Sequence, residues 1–156
     1  MSDPDCDIQI GAPVAAVWAV LSDVHAYPEW NRYTPVSWDD EAKGLITVAV
    51  TSVTRTGNPH RFQMPGKIHL REPDEMSLSL GVPGLVRIKI VYSLSLHLGG
   101  TRVEVRIESS GLAGIFLRRR FKGVYRKPVQ AALEDLRRRC EAGDRQSRRQ
   151  ATSKTP

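Results

Sequence analysis

From Thr34 to Ser110 apolar and polar residues alternate in six runs, and a period of two is the signature of strands that bury one face and wet the other. Turn chemistry interrupts the alternation at Ala42-Lys43-Gly44, Thr56-Gly57-Asn58-Pro59, Arg71-Glu72-Pro73-Asp74, Val82-Pro83-Gly84 and Gly99-Gly100. The strands therefore span roughly 34–41, 45–54, 60–71, 75–81, 86–98 and 101–110. Loops this short pair neighbouring strands as antiparallel hairpins, with Gly99-Gly100 the clearest two-residue turn. Parity then assigns faces. Val86, Ile88, Ile90, Tyr92, Leu94 and Leu96 point inward, as do Met76, Leu78 and Leu80, and Val103, Val105 and Ile107. Phe62, Met64, Ile68 and Leu70 complete the inner wall, provided that Pro65-Gly66 introduces no bulge. The same parity puts His69 and His97 on the outer face.

The ends of the chain read as helices. Asp7-Ile8-Gln9-Ile10 is a short strand, over about 5–10, stopped by Gly11-Ala12-Pro13; Val14, Val17, Trp18 and Leu21 then recur at helical spacing, with Pro13 suited to a first helical position. A second short helix follows from Val24 to Trp30, with Ser22 or Asp23 as its N-cap. A long helix is predicted from about Ile115 to Ala142, after a loop marked by Gly111 and Gly114, with Gly143 as its C-cap. Leu117, Phe121, Val124, Tyr125, Pro128, Val129, Ala132, Leu133 and Leu136 form its apolar stripe, and Pro128 predicts a kink near Gly123 to Lys127.

The residues Ala12-Pro13, Val17-Trp18, Leu21-Ser22-Asp23 and Tyr27-Pro28-Glu29-Trp30-Asn31 resemble the opening of the START and polyketide cyclase superfamily. That resemblance spans about Asp5 to Ala142. It implies an α+β helix-grip fold: a curved seven-stranded antiparallel sheet around a long C-terminal helix, with two short N-terminal helices and an apolar cavity between sheet and helix. Taken with strand parity, it implies a ligand site formed by Trp30, Tyr33, Phe62, Met64, Leu78, Leu80, Ile90, Tyr92, Phe121 and Tyr125. Asn31 and Tyr33 then stand at the mouth, Gly81 to Gly84 and Pro59 to Pro65 at the entrance, and Trp18 packs the first helix on the sheet. The implied function is binding of a hydrophobic small molecule such as a polyketide, lipid, isoprenoid or aromatic metabolite. The alternative is a polyketide cyclase or dehydratase acting on a bound poly-β-ketone. General acid-base chemistry needs a titratable group beside the substrate; the inner faces offer few, and Tyr92 and Tyr125 are the candidates.

A chain of 156 residues fits one domain, 1–142, followed by a polar tail, 143–156, expected to be disordered. Net charge is +6 but lopsided: residues 1–114 hold 10 Lys/Arg against 13 Asp/Glu, and 115–156 hold 13 against 4. The arginine clusters at 118–120, 137–139 and 145–149 raise a further alternative, an interaction module that binds anionic lipid or nucleic acid through its basic C-terminus. Cys6 and Cys140 lack the spacing of a metal site or a disulfide framework, and no nucleophile elbow, P-loop or dinucleotide fingerprint is present. Neither metal nor cofactor is expected. His25 and His60 are isolated, and Asp39-Asp40-Glu41 and Asp74-Glu75 fall at strand ends. The absence of a long apolar run and of a signal-like N-terminus predicts a cytoplasmic protein without a membrane span, and a homodimer is left open.

Overall fold

The computed structural model describes residues 3–32, 35–53, 56–82 and 84–154, the side chains of 50–53, 59, 60, 62 and 117–125 excepted. Seven strands, β1 Cys6–Ile10, β2 Val36–Asp40, β3 Leu45–Val53, β4 Pro59–Arg71, β5 Glu75–Val82, β6 Val86–His97 and β7 Gly100–Ser110, form one antiparallel sheet in the order β1-β7-β6-β5-β4-β3-β2. Helix α1, Val14–Ser22, a 3-10 turn at Val24–Ala26 and α2, Tyr27–Trp30, carry the chain from one edge strand to the other. Helix α3, Leu112–Ser153, follows β7.

Register explains the core. Cys6, Val105, Tyr92 and Met76 are direct neighbours across four strands, and so are Ile107, Ile90, Leu78 and Ile68; every one of these side chains is buried. Such cross-strand rows are the unit of sheet stabilisation. Val129, Ala132, Leu133, Leu136 and Cys140 of α3 are buried over β1, β7 and α1. Full burial of a Leu or Val contributes about 1.5–3 kcal/mol, so this stripe holds the helix far more firmly than intrinsic propensity could.

Pro65-Gly66 produces no bulge: the β3–β4 register runs without a break from Leu45↔Lys67 to Val53↔Pro59. The irregularity lies instead in β2, between Trp38 and Asp40. Gly66 is needed for close packing, because a Cβ there would stand 2.5 Å from Leu80 Cδ2 and 2.6 Å from the Ser79 carbonyl oxygen.

Several expectations are corrected. Leu96 and Leu70 face inward by parity, yet they are 78% and 42% exposed. Each lies past the end of a neighbouring strand: β5–β6 pairing reaches only Ser93, and β3–β4 pairing only Lys67. Ser22 does not cap the second helix; its hydroxyl donates back to the Trp18 carbonyl at 2.8 Å, and neither helix start there has a side-chain cap. Helix α3 begins at Leu112, so Gly114 lies within it. Pro128 is also inside α3, where it leaves the carbonyl four residues back without its helical donor. The bend expected at Gly123 to Lys127 falls largely on residues whose side chains are outside those described.

The β6–β7 turn is Leu98-Gly99, one residue earlier than expected, and His97 pairs with Gly100. Both turn residues have positive φ, 44° and 78°, the conformation of a type I′ hairpin that favours Asn-Gly. A leucine in that region is disfavoured by about 1–2 kcal/mol, and Leu98 is almost fully exposed, so it recovers little by burial. Leu98→Asn is therefore expected to stabilise the protein by about 1 kcal/mol, a rise of roughly 2–4 °C in Tm. An unchanged or lower Tm in a thermal melt would count against the turn assignment.

Helix α3 passes Gly143 and continues to Ser153, with Asp144 and Arg148 paired at 3.0 Å. Glycine costs about 1 kcal/mol in a helix interior, and one such pair returns only a few tenths. The side chains after Glu141 are mostly exposed, so this arm adds little burial. We propose that 1–142 is the cooperative unit: truncation after Ala142 should leave the urea unfolding midpoint unchanged, and a marked drop would make the arm part of the domain.

Candidate functional site

The short helices supply one end of the inner wall. Tyr27 is buried; its hydroxyl donates to the Leu21 carbonyl and lies 3.7 Å from Met76 Sδ, and its ring meets Trp30 edge to face at 4.8 Å. Met76 neighbours Tyr92 in the sheet, so Trp30, Tyr27, Met76 and Tyr92 form a continuous cluster. The wall continues through Leu78 beside Ile90, and Leu80 beside Ile88. Trp30, Leu78, Leu80, Ile90 and Tyr92 are all buried, whereas Met64, opposite Val48, is half-buried.

Titratable groups on this wall are held neutral. Burial raises the Tyr27 phenol well above its ordinary value, with Tyr92 and Asp23 adding to the effect, and burial likewise raises Tyr92, with a smaller contribution from Cys6. The Cys6 thiol is raised by burial against the opposing pull of Arg126. At neutral pH these groups can donate hydrogen bonds but cannot act as bases. Trp30 Nε1 is buried and has no hydrogen-bond partner among the described residues. An unpaired buried donor costs about 1–3 kcal/mol, which makes this N–H a feature that calls for a reason.

Ion pairs fasten α2 to α3. Arg32 donates to Asp135 at 3.0 and 3.4 Å, Arg138 lies 3.6 Å from the same carboxylate, and Arg139 donates to Glu29 at 2.9 Å. Asp135 is buried while its arginine partners are largely exposed, so the carboxylate is the anchored member. These residues and Trp30 line a polar cleft of about 340 Å³. The clamp was not foreseen. Its signal was Asp135 falling between Ala132 and Leu136 on the buried stripe, a place where an unpaired carboxylate would be costly. Tyr27 was likewise overlooked as a site residue, although its motif was read.

Of the ten residues expected to contact ligand, the structure places Trp30, Leu78, Leu80, Ile90 and Tyr92 on one buried wall, with Met64 at its margin. Tyr33 and the side chains of Phe62, Phe121, Tyr125 and His60 lie outside the described residues. Asn31 is buried beside Trp30 in the chain, and Trp18 packs partly buried against the core. His25 is exposed and meets Glu41 at 3.2 Å; Asp39 accepts from Thr47, and Asp40 accepts from the Lys43 backbone N–H, so these carboxylates organise a turn. Cys6 and Cys140 are free and buried, and burial pushes the Cys140 thiol up to about 12. Among the described residues no cluster of His, Cys, Asp and Glu could hold a metal, and no helix is long and apolar enough to cross a membrane.

No curated protein matches the chain in sequence. Solved structures do resemble it. TTHA0849 from Thermus thermophilus superposes with a TM-score of 0.64 at 15% identity, over 88% of this chain and 96% of that one. Ms6760 from Mycobacterium smegmatis gives 0.61 at 19% identity, over 88% and 89%. The Zhui aromatase/cyclase from Streptomyces gives 0.59 at 17% identity, over 87% and 91%. Identities this low establish a shared fold, which is the helix-grip architecture. The family model described as "Polyketide cyclase / dehydrase and lipid transport" matches residues 6–141, nearly the whole domain. On the strength of that match, the chain belongs to the polyketide cyclase/dehydrase and lipid transport family.

Proposed function

We propose that the protein binds a hydrophobic small molecule, a polyketide, lipid, isoprenoid or aromatic metabolite, against the inner wall between sheet and α3. The observation that carries this reading is the wall itself, apolar side chains in unbroken rows with neutral phenols, beside a buried Trp30 N–H that has no partner among the described residues. A ligand burying about 400 Å² of apolar surface would gain on the order of 10 kcal/mol before association costs of about 4 kcal/mol or more, so micromolar affinity needs no ion pair. The unpaired donor favours a ligand with an oxygen set in an otherwise apolar skeleton. Displacement of a fluorescent hydrophobic probe by polyketide and lipid extracts tests the reading. Saturable displacement from the folded protein is expected, and its absence would defeat the proposal.

A second reading is cyclisation or dehydration of a bound poly-β-ketone, favoured by the neutral Tyr92 phenol on the wall and by the likeness to an aromatase/cyclase. Tyr92 could hydrogen-bond a ketone oxygen as its enol forms, a donor role that a raised phenol can serve. Tyr92→Phe should then lower turnover far more than it weakens binding. Equal losses would leave Tyr92 as a binding residue only.

A further inference from the structure

Five large apolar side chains are exposed at one end of the molecule. Val82 and Leu85 stand on the β5–β6 turn, and Leu112, Ile115 and Phe116 on the first turns of α3, with exposures from 54% to 91%. They belong to one tip, since the Ala113 N–H donates to the Leu85 carbonyl at 3.0 Å and the Leu85 N–H to the Val82 carbonyl at 3.2 Å. Spacings of three and four residues set Leu112, Ile115 and Phe116 on a shared helix face. Val82 also borders a groove of about 470 Å³ on the outer face of the sheet, with Leu45 and Pro65 along it and Lys67, His69 and Arg87 as its ionisable residues. Among the described residues no carboxylate lines that groove. The apolar tip and the cationic groove therefore meet at the β5–β6 hairpin.

We propose that this end of the protein docks on an anionic lipid bilayer, the tip entering the acyl boundary while Lys67 and Arg87 take lipid phosphates. Apolar side chains beside cations match the two layers of an interface, and each Lys or Arg near an anionic surface strengthens binding severalfold. A second copy of the chain fits less well, because a two-fold contact at this tip would bring two sets of the same cations together. This inference does not depend on what the inner wall binds, and its test reads vesicles rather than cavity ligands.

The full-length protein is sedimented with phosphatidylcholine vesicles and with vesicles in which phosphatidylglycerol makes up about a third of the lipid. Binding to the anionic vesicles and little to the neutral ones is expected. The double variants Leu112→Ser/Phe116→Ser and Lys67→Glu/Arg87→Glu should each lower the bound-to-free ratio by about tenfold or more. Circular dichroism and urea unfolding establish that each variant is folded, and Lys67→Glu/Arg87→Glu, being wholly on the surface, serves if the other fails. Equal binding to both vesicles, no binding, or loss only on truncation after Ala142 would overturn the proposal. So would self-association that Leu112→Ser/Phe116→Ser abolishes.

Discussion

Gly81→Ala is expected to destabilise the protein by about 3–5 kcal/mol, while Gly84→Ala, three residues away in the same hairpin, costs about 1 kcal/mol. Both glycines have positive φ, 127° and 81°, so both substitutions carry the left-handed penalty of an L-residue. They differ in what a new methyl group meets. At Gly81 a Cβ would lie 2.2 Å from the Val86 carbonyl oxygen and 3.2 Å from Arg87 Cα, and backbone cannot move aside as a side chain can. At Gly84 nothing stands within 4 Å. Paired urea titrations of the two variants measure the difference, which corresponds to a gap of about 5–15 °C in Tm for a domain of this size. Similar losses from both would mean that the β5 and β6 backbones are not as close as Gly81 requires. The hairpin also bears on the site: the Leu85 carbonyl receives the Ala113 N–H and would stand 2.8 Å from a Cβ on Gly111. Strain at Gly81 should therefore reach the first turn of α3 and the apolar tip.

What the sequence revealed and what it hid follow from the range of the forces involved. Alternation along β5, β6 and β7 locates the inner wall because side-chain direction on a strand is a local property, and Leu78, Ile90, Tyr92 and Val105 are buried as parity requires. Leu70 and Leu96 have the same parity and are exposed, since coverage depends on how far the neighbouring strand extends, and that is set elsewhere in the chain. The Leu98-Gly99 turn was missed for a related reason. Turn chemistry pointed to two adjacent glycines, but pairing with His97 makes Gly100 a strand residue, and β1 passes so close that a Cβ there would lie 2.4 Å from the Ile10 carbonyl oxygen. One glycine serves the turn and the other the sheet. The family motif identified the Tyr27 to Trp30 segment but gave no sign of its fastening, because Arg32 and Asp135 are 103 residues apart in sequence. Side chains at that separation meet only through the tertiary fold.

Trp30→Phe is expected to separate folding from binding. Removing the indole N–H relieves a buried donor that has no partner among the described residues, worth about 1–3 kcal/mol, while the smaller ring leaves a void that costs about 1–2 kcal/mol. The two effects nearly cancel, so unfolding free energy should change by less than about 1 kcal/mol. Binding should not cancel. If the donor pairs with an oxygen of the bound molecule, an aromatic ketone loses that hydrogen bond in the variant, whereas a hydrocarbon of the same shape never had it. Affinity for acetylnaphthalene should fall about tenfold and affinity for ethylnaphthalene should hardly change, since one hydrogen bond of about 1–1.5 kcal/mol corresponds to that ratio. Isothermal titration of both ligands into both proteins makes the comparison, with urea unfolding of the unliganded proteins alongside. Equal losses for the two ligands would assign Trp30 a purely apolar role. A fall of several kcal/mol in stability would mean that its ring, packed on Tyr27, matters to the fold before it matters to any ligand.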